Sequence, residues 1–368
     1  MQKQSDICER RANGQPVYKR YFEKNDGRPL YLYGYQPHSA EPLPQMEPVH
    51  NKPASLRYHP LREEWSIYAA HRQSRTFQPK KTAAGSGFNP LAPAKPGTLP
   101  TEIPFADFEV AVFENRFSSL MAATGDAIEK IAPGVASKQA TGRCEVIVYS
   151  SEEEGSLATF SQSRRRLIVE ALIDRYQALR AAGHAYILAF ENRGAEVGAT
   201  LHHPHGQIYA FDFVPEPQAK AAKAFSSGYD LQDAQREWGD AFTVSSGDHM
   251  AITCPPYARF PYEAWIIPSR RIAGPWEMND AETEDFAEKL GEMVRRYDAF
   301  FGRPTPFMMT HHVSPGGFED SFYFTTQFYP LLRSADKLKY FAGVEQATGV
   351  FTVDVLPEDA VAALRDVL

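Results

Sequence analysis

Three cysteines are few for 368 residues, and Cys8, Cys144 and Cys254 lie too far apart to form a CxxC pair. That spacing excludes a zinc ribbon, argues against a disulfide framework and fits a reducing, cytoplasmic setting. Long apolar runs are also missing. No stretch of 18 apolar residues occurs and the N-terminus, MQKQSDICERRANG, is polar, so neither a membrane span nor a secretion signal is expected. Positive charge is in deficit: 39 Lys and Arg against 46 Asp and Glu give a net charge of −7. Such a chain repels nucleic acid and anionic membrane, and an anionic substrate would need a local basic pocket.

What remains is an ordinary globular composition, 43% hydrophobic and 23% charged, in a chain long enough for one large domain or two intimate halves. Residues 1–55 are rich in prolines and turn formers around one strand-like stretch, PLYLYGY (29–35). They read as an N-terminal arm laid over the main body. Trp65, Ile67 and Ala69 alternate as in a strand. Residues 78–104, dominated by Pro, Gly, Ala and Lys, read as a loop. Strands are expected at FEVAVFENRF (108–117), CEVIVYS (144–150), AYILAFEN (185–192) and GQIYAFDF (206–213). The segment 156–183 has helical spacing through Leu167, Ala171, Leu172 and Tyr176, with Arg164, Arg165 and Arg166 assigned to a solvated face.

The second half repeats this plan. YEAWIIP (262–268) is a strand, residues 281–301 an amphipathic helix, and PFMMTHH (306–312) and FYFTTQFYP (322–330) two more strands. Arg175-Tyr176 closes the first helix as Arg296-Tyr297 closes the second. The duplication predicts an N-terminal half over 56–230 and a C-terminal half over 231–368, equivalent in plan and sharing one extended sheet. Only the first half keeps histidines at the head of its last strand, so only the first is expected to be catalytic.

Those histidines stand together in GATLHHPHGQIYA (198–210), three of the chain's eleven within four positions. A metal cluster, a nucleophile with its supports and a crowded polar loop all fit that run. His203 and His205 alternate onto one strand face, as a metal pair could, yet no HExxH or paired cysteine accompanies them. As a nucleophile, His205 could attack phosphorus through an imidazole nitrogen and split a group transfer into two easier steps. Gln207 lies two residues on, on the same side of the strand, and offers an amide that can stabilise charge but cannot readily protonate a leaving group.

FENRGAEVGATLHHPHGQIYAF (190–211) resembles the active-site segment of the galactose-1-phosphate uridylyltransferase family, in the histidine triad superfamily. LRYHPLREEWSIYAAHRQSR (56–75), VFENRF (112–117), FYPLLRSADKLKYFAGVEQ (328–346) and PEDAVAALR (357–365) are similar to further stretches in the right order. GRPLYLYGY and the NRF and TLHHPHGQIY wording lie closest to the family's actinobacterial-type branch. The resemblance implies an α+β fold: two histidine-triad-like halves sharing one extended, largely antiparallel sheet flanked by helices, assembled as a homodimer. It implies that UMP passes from UDP-glucose to galactose 1-phosphate, or a related hexose 1-phosphate, by a ping-pong route through uridylyl-His205. Gln207 then contacts the phosphoryl oxygens, Arg72 and Arg75 the substrate phosphates, and Asn115 and Arg116 the nucleotide. Asn192, Gly198 and Thr200 match positions lining the phosphates, and Lys339, Tyr340 and Glu345 a hexose-facing segment. A related nucleotide-sugar or dinucleoside phosphorylase working through adenylyl-histidine is the alternative.

The sequence also departs from the family. Where many relatives bind a structural zinc, the positions of the four ligands read Asn89, Ala92, Glu153 and His203, so both thiolates are gone. The zinc is expected to be absent, no cofactor is required, and His203 is expected to donate to a backbone carbonyl or to Glu153. A second metal site keeps His312 but has Thr325-Thr326-Gln327 in place of an HxH pair and Ala221 in place of a glutamate. Adventitious metal at His202, His203 or His312 stays open. Val344 stands where some relatives carry a sugar-contacting tyrosine, which puts the hexose preference in question.

Overall fold

The computed structural model describes residues 8–74, 88–123 and 131–368. The chain opens with an antiparallel meander of β1 (Cys8–Ala12), β2 (Gln15–Glu23) and β3 (Pro29–Gly34). Asn13 and Gly14 make the first turn, both at positive φ (50° and 77°), as a tight two-residue hairpin requires. Next come the hairpin β4 (Ser55–His59) and β5 (Glu64–Tyr68), then β6 (Val110–Glu114), β7 (Ser137–Gln139) and β8 (Gly142–Val148). Helix α1 (Gln162–Ala181) leads to β9 (Tyr186–Arg193) and β10 (His205–Phe211), followed by α2 (Glu216–Ser226) and α3 (Leu231–Trp238). Then follow β11 (Thr243–Ser246), β12 (Met250–Thr253), β13 (Ala264–Pro268), α4 (Asp280–Phe301), β14 (Phe307–His312) and β15 (Thr325–Pro330). Two short helices, α5 (Gly343–Thr348) and α6 (Pro357–Arg365), end the chain. The fold is α+β, with a large antiparallel sheet flanked by helices.

The chain divides into two compact units. The first holds the described residues of Met1–Glu154 with Glu170–Ala189 and His203–Ala221; the second holds Gly155–Val169, Phe190–His202 and Ala222–Leu368. In the first, strands run β1-β2-β3-β6-β8-β10, and β5-β4-β7 form a separate three-stranded sheet. Ala54, Leu56, Leu120, Ala140 and Cys144 form a small core joined by Trp65, Ile67, Tyr209 and Phe211. Glu145, wholly buried on β8, is met by Arg175 through two 2.8 Å hydrogen bonds. Such a pair is costly to bury and costlier to break.

In the second unit the order is β14-β15-β13-β12-β11. Helix α4 starts at a capping box, Asn279 with Glu282, and ends on Gly302 in the left-handed region (φ 66°). Its apolar face of Phe286, Leu290, Met293 and Tyr297 is buried, and the helix packs on β12 and β13. The order strand, helix, strand, strand occurs twice: β8-α1-β9-β10 and β13-α4-β14-β15. In both, the last strand lies beside the first. The tyrosines four or five residues before the ends of the two helices are alike too, since Tyr176 and Tyr297 are buried with their hydroxyls bonded to the backbone.

One expectation fails here. Arg165 and Arg166 are not on a solvated face but only 4% and 2% exposed. Arg165 reaches Glu288 at 2.5 Å and the Ala287 carbonyl at 3.0 Å, and Arg166 pairs with Asp280 and Glu284. Carboxylates contributed by α4 supply the partners that make their burial tolerable. Among the described residues no helix is long and apolar enough to cross a membrane.

Candidate active site

Strand β10 starts at His205 itself. Its alternation leaves His205, Gln207, Tyr209 and Phe211 half-buried on one face while Gly206, Ile208 and Ala210 are buried on the other. Pairing with β8 sets His205 opposite Val148 and Gln207 opposite Val146. Tyr209 and Phe211 pack into the core beneath the three-stranded sheet. The strand thus anchors His205 by the residues that follow it.

His205 Nδ1 lies 2.7 Å from the carbonyl oxygen of His203. A carbonyl only accepts, so Nδ1 carries the proton and the lone pair is on Nε2. Burial pushes the His205 pKa below its ordinary value, against that carbonyl contact, which favours the charged ring. A neutral imidazole with its lone pair on Nε2 is the form that can attack phosphorus.

The His203 ring is fixed at both nitrogens. Nε2 donates to the Ser150 carbonyl at 2.7 Å, and Nδ1 faces the Asn89 amide nitrogen at 3.1 Å. Asn89 Oδ1 accepts from the Leu91 N–H at 3.0 Å, so its Nδ2 is the donor toward His203. The same Nδ2 donates to Glu153 Oε2 at 3.0 Å. Three of the four positions that the resemblance pairs with zinc ligands, Asn89, Glu153 and His203, therefore converge, but as hydrogen-bond partners. Both ring nitrogens of His203 are committed, Nε2 as donor and Nδ1 as acceptor, Ala92 has no metal-binding atom, and a tetrahedral zinc does not fit this set. Among the described residues no three His, Cys, Asp or Glu side chains gather to hold a metal ion.

Arg72 stands on a short 3-10 turn, Ala70–Ser74, which His71 ties to the Ser118 carbonyl at 2.9 Å. Arg72 Nη1 donates to the Phe117 carbonyl at 2.9 Å and to the Tyr209 hydroxyl at 3.4 Å. That places a permanent cation by the strand face that carries His205 and Gln207. Tyr209 was missed in the sequence, although period-two alternation from Gln207 points to it. Arg75 lies outside the described residues. Asn115 closes an Asx turn, accepting from the Phe117 N–H at 2.9 Å. Arg116 turns toward the N-terminal segment, where Nη2 donates to the Glu47 carbonyl at 2.8 Å and Nη1 is 4.0 Å from Glu102.

The remaining site positions belong to the second unit. Asn192 and Thr200 are half-buried. Gly198 ends the 3-10 turn Ala195–Val197 in the left-handed region, φ 78°, where a side chain would be strained. Lys339 pairs with Glu345 at 2.6 Å, and Glu345 also accepts from the Ala342 N–H at the start of α5. Tyr340 is 73% exposed. His312 Nε2 is 2.8 Å from Thr310 Oγ1 and 3.2 Å from the Tyr329 hydroxyl, which itself donates to Gln327. Burial pushes His312 down to about 4, with the Arg259 charge acting the same way. It is a polar cluster of neutral groups.

A neutral imidazole anchored at the head of a strand, with an amide on the same face and an arginine beside it, has the chemistry that group transfer needs. Residues 45–215 match the family described as galactose-1-phosphate uridyl transferase, N-terminal domain, and residues 229–368 match its C-terminal domain. The chain belongs to the galactose-1-phosphate uridylyltransferase family, a family of nucleotidyltransferases. It is 35% identical to the galactose-1-phosphate uridylyltransferase of Thermotoga maritima over 321 residues, covering 84% of this chain and 98% of that one. Identity to the Streptomyces lividans enzyme is 31% over 306 residues, 79% of each chain. A solved uridylyltransferase superposes with a TM-score of 0.73 at 26% identity, over 84% of this chain and 97% of the other. An ADP-glucose phosphorylase from Arabidopsis thaliana shares the fold, with a TM-score of 0.63 at 21% identity over 85% and 98%.

Proposed function

We propose that the protein exchanges UMP between UDP-glucose and galactose 1-phosphate through a covalent uridylyl-His205. The observation that supports this is the 2.7 Å contact of His205 Nδ1 with the His203 carbonyl, which leaves the ring's lone pair on Nε2. In the first step Nε2 attacks the α-phosphorus of UDP-glucose. A P–N bond forms, the P–O bond to the leaving group breaks, and glucose 1-phosphate departs with that electron pair. The ring becomes cationic, and its Nδ1 proton, already on the His203 carbonyl, spreads that charge. In the second step a phosphate oxygen of galactose 1-phosphate attacks the same phosphorus, the P–N bond breaks and UDP-galactose leaves. Gln207 is suited to donate to the equatorial oxygens without offering a proton to water, and the Arg72 guanidinium to neutralise phosphate charge.

Two further features belong to this reading. No zinc takes part, because hydrogen bonds occupy its position. The working enzyme is a cytoplasmic homodimer in which Lys339, Tyr340 and Glu345 face the sugar bound by the partner, a role to which the exposure of Tyr340 and Phe341 is suited. Intact-protein mass spectrometry after mixing with UDP-glucose alone tests the chemistry. An acid-labile adduct of one UMP is expected, lost on adding galactose 1-phosphate and missing in His205→Gly. An adduct formed only with an adenylyl donor would transfer the reading to a phosphorylase. No adduct with any donor would remove it.

A further inference from the structure

The histidine that relatives place on a metal is here held at both ring nitrogens, and its own peptide carbonyl is what the nucleophile hangs on. We propose that Asn89, backed by Glu153, is a positioning residue for His205, acting through the ring and carbonyl of His203. The inference rests on the reading of His205 as nucleophile.

The donors and acceptors form one consistent chain. The Leu91 N–H can only donate, which makes the oxygen of the Asn89 side chain its acceptor and turns the amide protons outward. One amide proton goes to Glu153 Oε2 and the other to His203 Nδ1. An accepting Nδ1 requires the proton to be on Nε2, where the Ser150 carbonyl receives it. Pinned at both ends, the ring fixes the rotation of its own residue. Pro204 restricts the next φ, and the Tyr149 N–H holds the Pro204 carbonyl at 3.1 Å. The His203 carbonyl therefore has one orientation, and it is the acceptor that decides which nitrogen of His205 carries the proton. Asn89 is itself held by its backbone oxygen, which accepts from the Ala92 N–H at 3.3 Å. One amide proton, on an amide that Glu153 steadies through the other, thus does here the orienting that a metal does for a ring it binds. Groups that only orient an active ring change rates by about 10–100-fold when removed.

The experiment follows the rate of UMP adduct formation from UDP-glucose in rapid-quench mass spectrometry. It compares wild type with Asn89→Leu, which keeps the size of the side chain and loses its donors. The expected result is a rate constant lower by about tenfold or more. The concentration of UDP-glucose giving half the maximal rate should stay within about threefold, since no substrate contact is removed. A folded Asn89→Leu that forms adduct at the wild-type rate would overturn the proposal and leave the nucleophile standing. Failure of wild type to form any adduct would instead sink the parent reading. Should Asn89→Leu not fold, the two-bond nitrogen–proton spectrum of wild-type histidines decides, with His203 identified by its loss in His203→Gln. At neutral pH it must show the Nε2–H form. A ring protonated at Nδ1 contradicts the donor chain.

Discussion

Lowering the pH from 7 to 5 should destabilise the protein through two adjacent histidines of β14. His311 is 3% exposed, with Nδ1 2.8 Å from Thr326 Oγ1 and its ring stacked against Phe324. Burial pushes its pKa down to about 3 and that of His312 to about 4. Both rings thus stay neutral in the folded protein at pH 5, while in the unfolded chain they protonate near pH 6.5. The unfolded state then binds more protons, so the stabilisation is present above pH 6.5 and is lost as pH falls toward the folded values. From pH 7 to 5 each ring removes ~2 kcal/mol and the two together ~4 kcal/mol, a large part of a typical stability of ~5–15 kcal/mol. Guanidinium unfolding at pH 7, 6 and 5 measures this, with the double variant His311→Asn/His312→Gln as reference. The variant should start less stable at pH 7 and lose ~4 kcal/mol less on acidification. Equal losses in both proteins would refute the argument.

The same sign applies to catalysis: burial lowers the pKa of His205, so adduct formation should rise with pH to a plateau whose midpoint lies below 6.5, measured by single-turnover rates. A midpoint above 6.5 would contradict the burial argument. Arg72→Ala should reduce kcat/KM by ~10²-fold, whereas Tyr209→Phe, which removes the hydroxyl that accepts from Arg72 at 3.4 Å and also bonds Ser119, should cost less than about threefold. Comparable losses in the two variants would mean that Arg72 acts through the fold. Elemental analysis of protein purified without chelator should find well under one zinc per chain, with transfer unchanged by EDTA. Stoichiometric zinc would show that the Asn89–His203 contact yields to a metal.

The elements legible in the sequence are those that bury one face. Period-two alternation marked β10 and put His205 and Gln207 together, and the helical spacing of 281–301 marked α4 almost to its ends. Strands β1 and β2 were not visible, because CERRA and QPVYKRYFE are charged and lack a clean apolar stripe. Arg165 and Arg166 misled for a related reason. A run of arginines looks solvated until Asp280, Glu284 and Glu288 arrive from more than a hundred residues away. Around His205, side-chain identities could be read from the motif, and a backbone carbonyl was one of the two acceptors expected for His203, but which carbonyl could not be read. Ser150 receives the His203 proton through its backbone carbonyl, which leaves no trace in the sequence. The orientation of Arg116 toward Glu47 and Glu102 is equally a product of tertiary packing.

An amide at Asn89, where the resemblance implies a thiolate, changes how this site ages. A thiolate is lost to oxidants; a side-chain amide is lost by deamidation, in which the backbone nitrogen of the next residue closes a ring on the amide carbon. After Asn89 that residue is Pro90, whose nitrogen carries no hydrogen and cannot complete the closure. The Leu91 N–H further holds the side-chain oxygen in place. The donor that fixes His203 is therefore shielded by its own neighbour from the slow chemistry that converts exposed asparagines to aspartate.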